Sequence, residues 1–302
     1  FCIPLVSGLL GVNQDKMIPL QLLGSSPLTI EIELAPALDI GVFGGAAVAA
    51  YTIDTVRYVA QMTETPPELD AQLRMVQEQS GGAIMLSGID YTNFQGTIQA
   101  GATGQQNINV PARRRSIKSI LWTGASKTFV AGGGAAQEVL YNQSFGGNMN
   151  MTEYSVRVGS IQYPSEPVQC EYGLAAGPAG VRSEHLTELE KAFGSLGSTV
   201  GLGSLTGFNF ATGDCDVANM TGIIGPGNAD ASYKFCPFAI DMESFQRVSA
   251  GHDGVNTADR STPITLQLTV GAAAGEAVAI DAYVCYDALY YIDATGSIRV
   301  SF

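Results

Sequence analysis

A chain of 302 residues with 46% hydrophobic and only 14% charged side chains has the apolar material for one large or two ordinary cored domains. Its 15 Lys and Arg stand against 28 Asp and Glu, a formal net charge of −13. That balance argues against a surface built for nucleic acid, whose phosphates call for basic side chains. Much of the surface must then be small or uncharged polar groups, which suits a subunit packed among copies of itself as well as an acidic monomer. No apolar run reaches the ~18 residues of a membrane span. There is no signal-peptide pattern. The chain opens at Phe1-Cys-Ile-Pro without an initiating Met, as though in mid-fold with residues upstream.

Ile3 to Leu23 is apolar but broken by Pro4, Gly8, Gly11 and Pro19, and reads as a loop with a short strand near 17–22. Leu28 to Leu34 alternates cleanly: Leu28, Ile30, Ile32 and Leu34 are expected inward, with Thr29, Glu31 and Glu33 outward. Gly41 to Ala50 reads as a loop or buried edge. Tyr51 to Met62, with Ile53, Val56, Tyr58 and Val59, is a less regular strand.

The period then changes. Thr65-Pro-Pro-Glu68 has the form of a capping box, with Pro66 at the first helical position. Leu69, Leu73 and Val76 follow at i, i+4, i+7, so a helix over roughly 66–79 is expected to pack through them and to end at Gly81-Gly82. Strand character resumes over Ala83 to Asn93, Gly96 to Val110 and Ser116 to Trp122, the last carrying the only tryptophan. Val139 to Phe145 and Tyr154 to Val158 are further strands, Ile161 to Tyr163 continues the latter, and Tyr233 to Ile240 is another. A second helix is expected over Ser183 to Phe193, with Leu186, Leu189 and Phe193 inward and Glu184 and Glu188 early in it.

The end of the chain carries the clearest pattern. Ile264, Leu266, Leu268 and Val270 share one face. So do Val278, Ile280, Ala282, Val284 and Tyr286, and after a turn at Ala294 to Gly296 so do Ile298, Val300 and Phe302. The core of this half is expected to hold Trp122, Ile264, Leu266, Leu268, Val284 and Phe302. In all, about eleven strands and two helices with long Gly-rich connections give an all-β sandwich pattern.

Chemistry is sparse. The five cysteines (Cys2, Cys170, Cys215, Cys236, Cys285) are dispersed, without a metal-ligand spacing, and read as buried free thiols. No nucleophile elbow or phosphate loop occurs. His185 reads as an exposed helical histidine, and His252-Asp253 as a polar loop pair. Asp281 and Asp287 share a strand face opposite the apolar one and are expected in solvent or at an interface. Asn142, Asn150 and Asn219 head glycosylation sequons that matter only in a secretory pathway. No catalytic, cofactor or metal residue is assigned. Arg113, Arg114 and Arg115 form the one basic cluster, read either as a turn before a strand or as a contact to nucleic acid, anionic lipid or another protein.

The order of these pieces resembles the double jelly-roll major capsid proteins of DNA viruses, the lineage of adenovirus hexon, virophages and large algal viruses. Four stretches carry the likeness: Ile18-Pro-Leu with Leu28 to Leu34; Tyr51 to Val76, a strand running into a capped helix; Ser116 to Trp122 with Tyr154 to Pro164; and Arg260-Ser-Thr-Pro-Ile-Thr-Leu to the C-terminus. The resemblance implies two jelly rolls, with residues 1–92 the latter part of the first, a seam helix at 66–79, and 93–302 the second. It also implies a structural capsid subunit in the virion rather than an enzyme. Such a subunit assembles as a homotrimer with neighbouring capsomers and minor capsid proteins, has no small-molecule substrate, and has a weak genome or internal-membrane contact through Arg113, Arg114 and Arg115. A carbohydrate-binding or adhesion β-sandwich is the alternative; it calls for a platform of exposed aromatics.

Overall fold

Strand pairing follows a nested rule. The computed structural model describes residues 17–24, 28–34, 42–43, 46–47, 50, 52–60, 62–126, 151–170, 184–195, 238–243, 253–259, 263–271 and 277–302. Its strands are β1 (Ala83–Ile98), β2 (Gly104–Asn109), β3 (Ile117–Ser126), β4 (Met151–Val158), β5 (Ile161–Gln169), β6 (Phe238–Asp241), β7 (Ile264–Val270), β8 (Val278–Asp293) and β9 (Ile298–Ser301). Two helices accompany them, α1 (Pro67–Gln79) and α2 (Glu184–Ser195). β1 pairs with β8, β2 with β7, β3 with β6 and β4 with β5, all antiparallel. Each couple encloses the next in sequence. Such nesting results when one long antiparallel ribbon is rolled up, and it yields two four-stranded sheets, β1-β8-β3-β6 and β2-β7-β4-β5. This is the jelly roll. β9 adds beyond the end of β3 along β8.

The core lies between the sheets. β7 supplies Ile264, Leu266, Leu268 and Val270 inward, all buried, as its alternation requires. β8 keeps the same period beyond Tyr286 through Ala288, Tyr290 and Ile292, so it is longer than expected. Trp122 is fully buried, edge-on to Tyr154 with ring centroids 4.7 Å apart and stacked with Phe238 at 5.9 Å. The Tyr154 hydroxyl donates to the Ala239 carbonyl at 3.2 Å, which satisfies the one polar atom its ring brings inside. α2 closes the β6 end of the sandwich with buried Leu189 and Ala192.

Several expectations fail for stated reasons. β1 is one continuous strand that pairs with β8 from Ala83 to Ile98, where separate strands over Ala83 to Asn93 and from Gly96 were expected. Ile161 to Tyr163 does not continue β4; Gly159, at φ 60°, turns the chain back into β5. Phe302 is 43% exposed and lies outside the core, because β9 packs at the sheet's end beyond the sandwich. Residues 17–22 form a 3-10 turn (Leu20–Leu22) that buries Leu22 and Leu23 beside Ile292. Val42–Phe43 pairs with Ala46–Ala47 where a loop or buried edge was expected.

The two alternating segments near the N-terminus are unpaired. Leu28, Ile30, Ile32 and Leu34 are exposed, as are Ile53, Val56, Tyr58 and Val59, the last at 89%. A strand needs a neighbour for its backbone edge and a sheet face for its apolar side. Neither is supplied by the described residues. Thr55 also sits at φ 55°, which breaks the extended run.

α1 forms where its pattern predicts but faces elsewhere. Its N-cap is Pro66, with no side-chain cap; the Thr65 hydroxyl donates instead to Asp70 Oδ1 at 3.1 Å. Leu69 and Val76 are exposed. Leu73 packs in the Leu22–Leu23–Ile292 cluster, and Gln77 is buried with its Nε2 donating to the Ile292 carbonyl at 3.2 Å. The contact stripe is thus Asp70, Leu73 and Gln77, rotated from the apolar one. A polar group lying on the roll decided the face. Gly81 and Gly82, at φ 79° and 91°, end the helix as expected. The strand expected over Val139 to Phe145 and the inward Leu186 and Phe193 side chains lie outside the described residues.

Leu266 has no exposed surface. Leu266→Ala is expected to cost about 2–5 kcal/mol in denaturant unfolding, the range for a truncated core leucine. Phe302→Ala is expected to cost clearly less.

Candidate functional site

The densest polar chemistry sits on the outer face of the first sheet, and a bulge places it there. β3 pairs Ser119 with Cys285 and then Ile117 with Tyr286, leaving Lys118 as the extra residue. Strict alternation would aim Lys118 into the core. The bulge instead puts it on the outer side with Ser119 while Ile117 returns to the core.

There the Lys118 ammonium hydrogen-bonds Glu243 Oε1 and lies 3.7 Å from Asp253 Oδ1 and 3.8 Å from Asp287 Oδ1. The side chains of Lys118, Glu243, Asp253 and Asp287 are 9%, 1%, 10% and 12% exposed. Asp287 is therefore not a solvated strand residue; the strand's outer face is covered at that point. Ser116 Oγ donates to Asp287 Oδ2 at 2.5 Å and accepts from the Gly254 amide at 3.1 Å. Burial pulls the Lys118 ammonium down, but Glu243, Asp287 and Asp253 outweigh it, and its pKa is raised. Burial raises the Glu243 carboxyl above the usual range despite the Lys118 hydrogen bond. Cys285, fully buried nearby, is pushed far up by the same desolvation.

The cover is the segment 253–259. Val255 and Ile117 exchange both backbone hydrogen bonds at 2.9 Å. The Thr257 amide donates to the Arg114 carbonyl at 2.8 Å, and the Thr257 hydroxyl donates to the Ala112 carbonyl at 3.1 Å. Gly254 is required: a Cβ there would stand 2.4 Å from the Ile117 carbonyl oxygen.

Of the basic cluster, Arg114 is committed to the fold. Its guanidinium lies 4.4 Å from the Tyr286 ring centroid and 4.5 Å from that of Phe302, and Nη2 donates to Thr92 Oγ1 at 3.2 Å. The Tyr286 hydroxyl donates to Asp90 Oδ2 at 3.1 Å. Arg114 is half-buried, with these partners inside the fold. Arg113 and Arg115 are exposed, and Arg113 Nη1 donates to the Asp259 carbonyl at 2.7 Å.

His185 is buried on α2 against β6, 5.8 Å from Phe238, not exposed as expected. Desolvation pushes its imidazole down to about 4. Cys170 and Cys285 are buried and outside any disulfide, and the Cys170 thiol donates to the Met151 carbonyl at 3.4 Å. Asp281 is half-buried on the outer face of β8. His252, the three sequon asparagines and Cys2, Cys215 and Cys236 lie outside the described residues. Among the described residues no group of three His, Cys, Asp or Glu side chains has a metal-holding arrangement. A shallow depression between β5 and α2 is rimmed by Glu166, Glu184 and Glu188. The sequence does carry a signal for the buried cluster: a lysine inside the apolar run Ile117 to Trp122 needs a partner or a bulge, and here it has both.

No family model matches the chain, and no curated protein does. Solved structures do. PBCV-1 VP54, as fitted into a cryo-EM reconstruction of the virophage Sputnik, aligns over 77% of this chain and 54% of its own, with 10% identity and a TM-score of 0.44. The mavirus major capsid protein aligns over 73% and 42%, with 10% identity and a TM-score of 0.38. The Faustovirus major capsid protein aligns over 72% and 35%, with 5% identity and a TM-score of 0.39. The chain thus spans about half or less of the length of the structures it is similar to.

Arg114→Ala should lower stability by about 1–2 kcal/mol, since it removes a cation held between two rings. Arg115→Ala should stay within about 0.5 kcal/mol, as for surface positions generally. Paired thermal melts read both.

Proposed function

We propose that this chain is a structural subunit of a virus capsid, working by self-assembly and not by catalysis. The observation that carries the reading is a finished jelly roll beside unfinished β sequence. The roll from Ala83 onward closes its own core, whereas 28–34 has the alternation of a strand, 52–60 is rich in apolar and β-branched residues, and both leave their large apolar side chains in water. Exposed apolar surface of that kind marks a place where another surface belongs.

The two segments fit a further roll, the one expected over residues 1–92, with α1 at the seam between the two. In that arrangement each subunit contributes two rolls, and a homotrimer contributes six. Neighbouring capsomers and minor capsid proteins are the remaining partners. The connections expected over 124–137, 164–182, 194–232 and 241–261 overlap β3, β5, α2 and β6 at their ends, and 253–259 pairs with β3; their remaining length, rich in small residues, would serve close packing between subunits and lies almost wholly outside the described residues. A weak contact to genome or an internal membrane would fall to Arg113, Arg114 and Arg115, of which Arg113 and Arg115 are the exposed pair. The fold does not fix this function, because jelly rolls host many. The alternative, a carbohydrate-binding or adhesion module, is disfavoured by the tryptophan: Trp122 is core, not platform.

Light scattering on the purified protein tests the assembly claim. The expected mass is three times that of the 31.6 kDa chain. A monomer at micromolar concentration would contradict the trimer and favour the binding module.

A further inference from the structure

Among the described residues, the cluster on the outer face of the first sheet is short of positive charge. Three carboxylates (Glu243, Asp253 and Asp287) surround one ammonium, Lys118, and every one of these side chains is about nine-tenths buried. Two of the carboxylates are also short of donors. Glu243 Oε2 and both oxygens of Asp253 are buried and find no hydrogen-bond donor among the described residues. A buried carboxylate without a donor is among the most costly groups in a fold, and an uncompensated pair of them more so.

We propose that 253–259 is a proton-operated strap, closed over the sheet while one carboxylate of the cluster holds a proton and loosened when that proton leaves. The proton turns an acceptor-only oxygen into a donor and removes one of the two excess negative charges. Glu243 is the group placed to hold it: its Oε2 is buried without a donor among the described residues, whereas Asp287 already accepts from Ser116 Oγ.

The groups facing the cluster all bear on the sign. β3 brings Lys118, with the Ser116 and Ser119 hydroxyls. β8 brings Asp287 and Cys285. The end of β6 brings Asp241 and Glu243, the strap brings Asp253, and β1 brings Tyr91 beside Cys285. Among the described residues Lys118 is the only cation there, and it stays charged, because its neighbours raise it. Cys285 and Tyr91 stay neutral, because burial raises both. The titrating group is therefore a carboxyl. Burial raises Glu243, so the closed strap binds more protons than the open one. Closure is then fully present below the open-state carboxyl range and is lost as pH rises through the raised closed-state value.

The strap has its own reporter. The Val255 amide donates to Ile117 and the Thr257 amide to Arg114, whereas amides in the middle of β7 report only on the core. Hydrogen exchange, corrected for the intrinsic pH dependence, should be followed from pH 5 to pH 8 on the full chain. Protection at Val255 and Thr257 should fall at least tenfold across that range while β7 protection holds. Glu243→Gln, and separately Asp253→Asn, removes one negative charge permanently and should flatten the pH response. Two variants are used so that misfolding of one leaves the other to decide. Protection at Val255 equal at both ends of the range would overturn the proposal. So would an undiminished response in either folded variant, or protection governed by added calcium and not by pH.

Discussion

The sixteen-residue register between β1 and β8 is the constraint on which the other features depend. β8 is paired on both edges along most of its length: with β1 throughout, and with β3 and then β9 on the other side. Its position fixes three distant arrangements at once. Opposite Cys285 and Tyr286 it meets the bulge that turns Lys118 outward. At Tyr286 it aligns the ring with Asp90 and Thr92 and beneath Arg114. At Ile292 it offers the carbonyl that receives Gln77 and the side chain that buries Leu22 and Leu23. A slip of one residue would exchange the faces of β8 and undo all three.

The sheet then has two unlike faces. Inward it is apolar and aromatic, closed by the Trp122, Tyr154 and Phe238 rings. Outward, at the start of β3, it carries an ionic cluster roofed by 253–259. Burying ions there adds little stability, since desolvation offsets most of the attraction. What it adds is a chemical condition on one segment, because the roof closes well only when the charges beneath it nearly balance. Arg114, which meets that segment at Thr257, is also held between the Tyr286 and Phe302 rings, a contact that does not depend on that balance.

The parts legible in the sequence were those governed by one dominant rule. β7 and the first half of β8 bury alternate residues because sandwich cores demand it, and their side chains say so. α1 and its Gly81-Gly82 stop were legible for the same reason. What could not be read was anything set by a partner distant in sequence. The face of α1 was decided by Gln77 reaching Ile292, not by its leucines. Asp287 and His185 look like surface residues until strap and helix cover them. Phe302 has the right parity for the core but lies beyond the end of the sandwich. Leu28 to Leu34 has a flawless strand pattern and no strand to pair with, which no local rule reveals. Lys118 stands out inside its apolar run, but the sequence hides its partners, because the acids are separated from it by more than a hundred residues of chain.

The central claim is that the roll from Ala83 onward is complete by itself while 28–34 and 52–60 await a neighbouring surface. Hydrogen exchange of those two segments, in the isolated chain and in assembled particles, tests it most directly. The account predicts near-unprotected amides in the isolated chain and strong protection in the particle, with β7 protected in both. Fast exchange of both segments in the particle as well would contradict it.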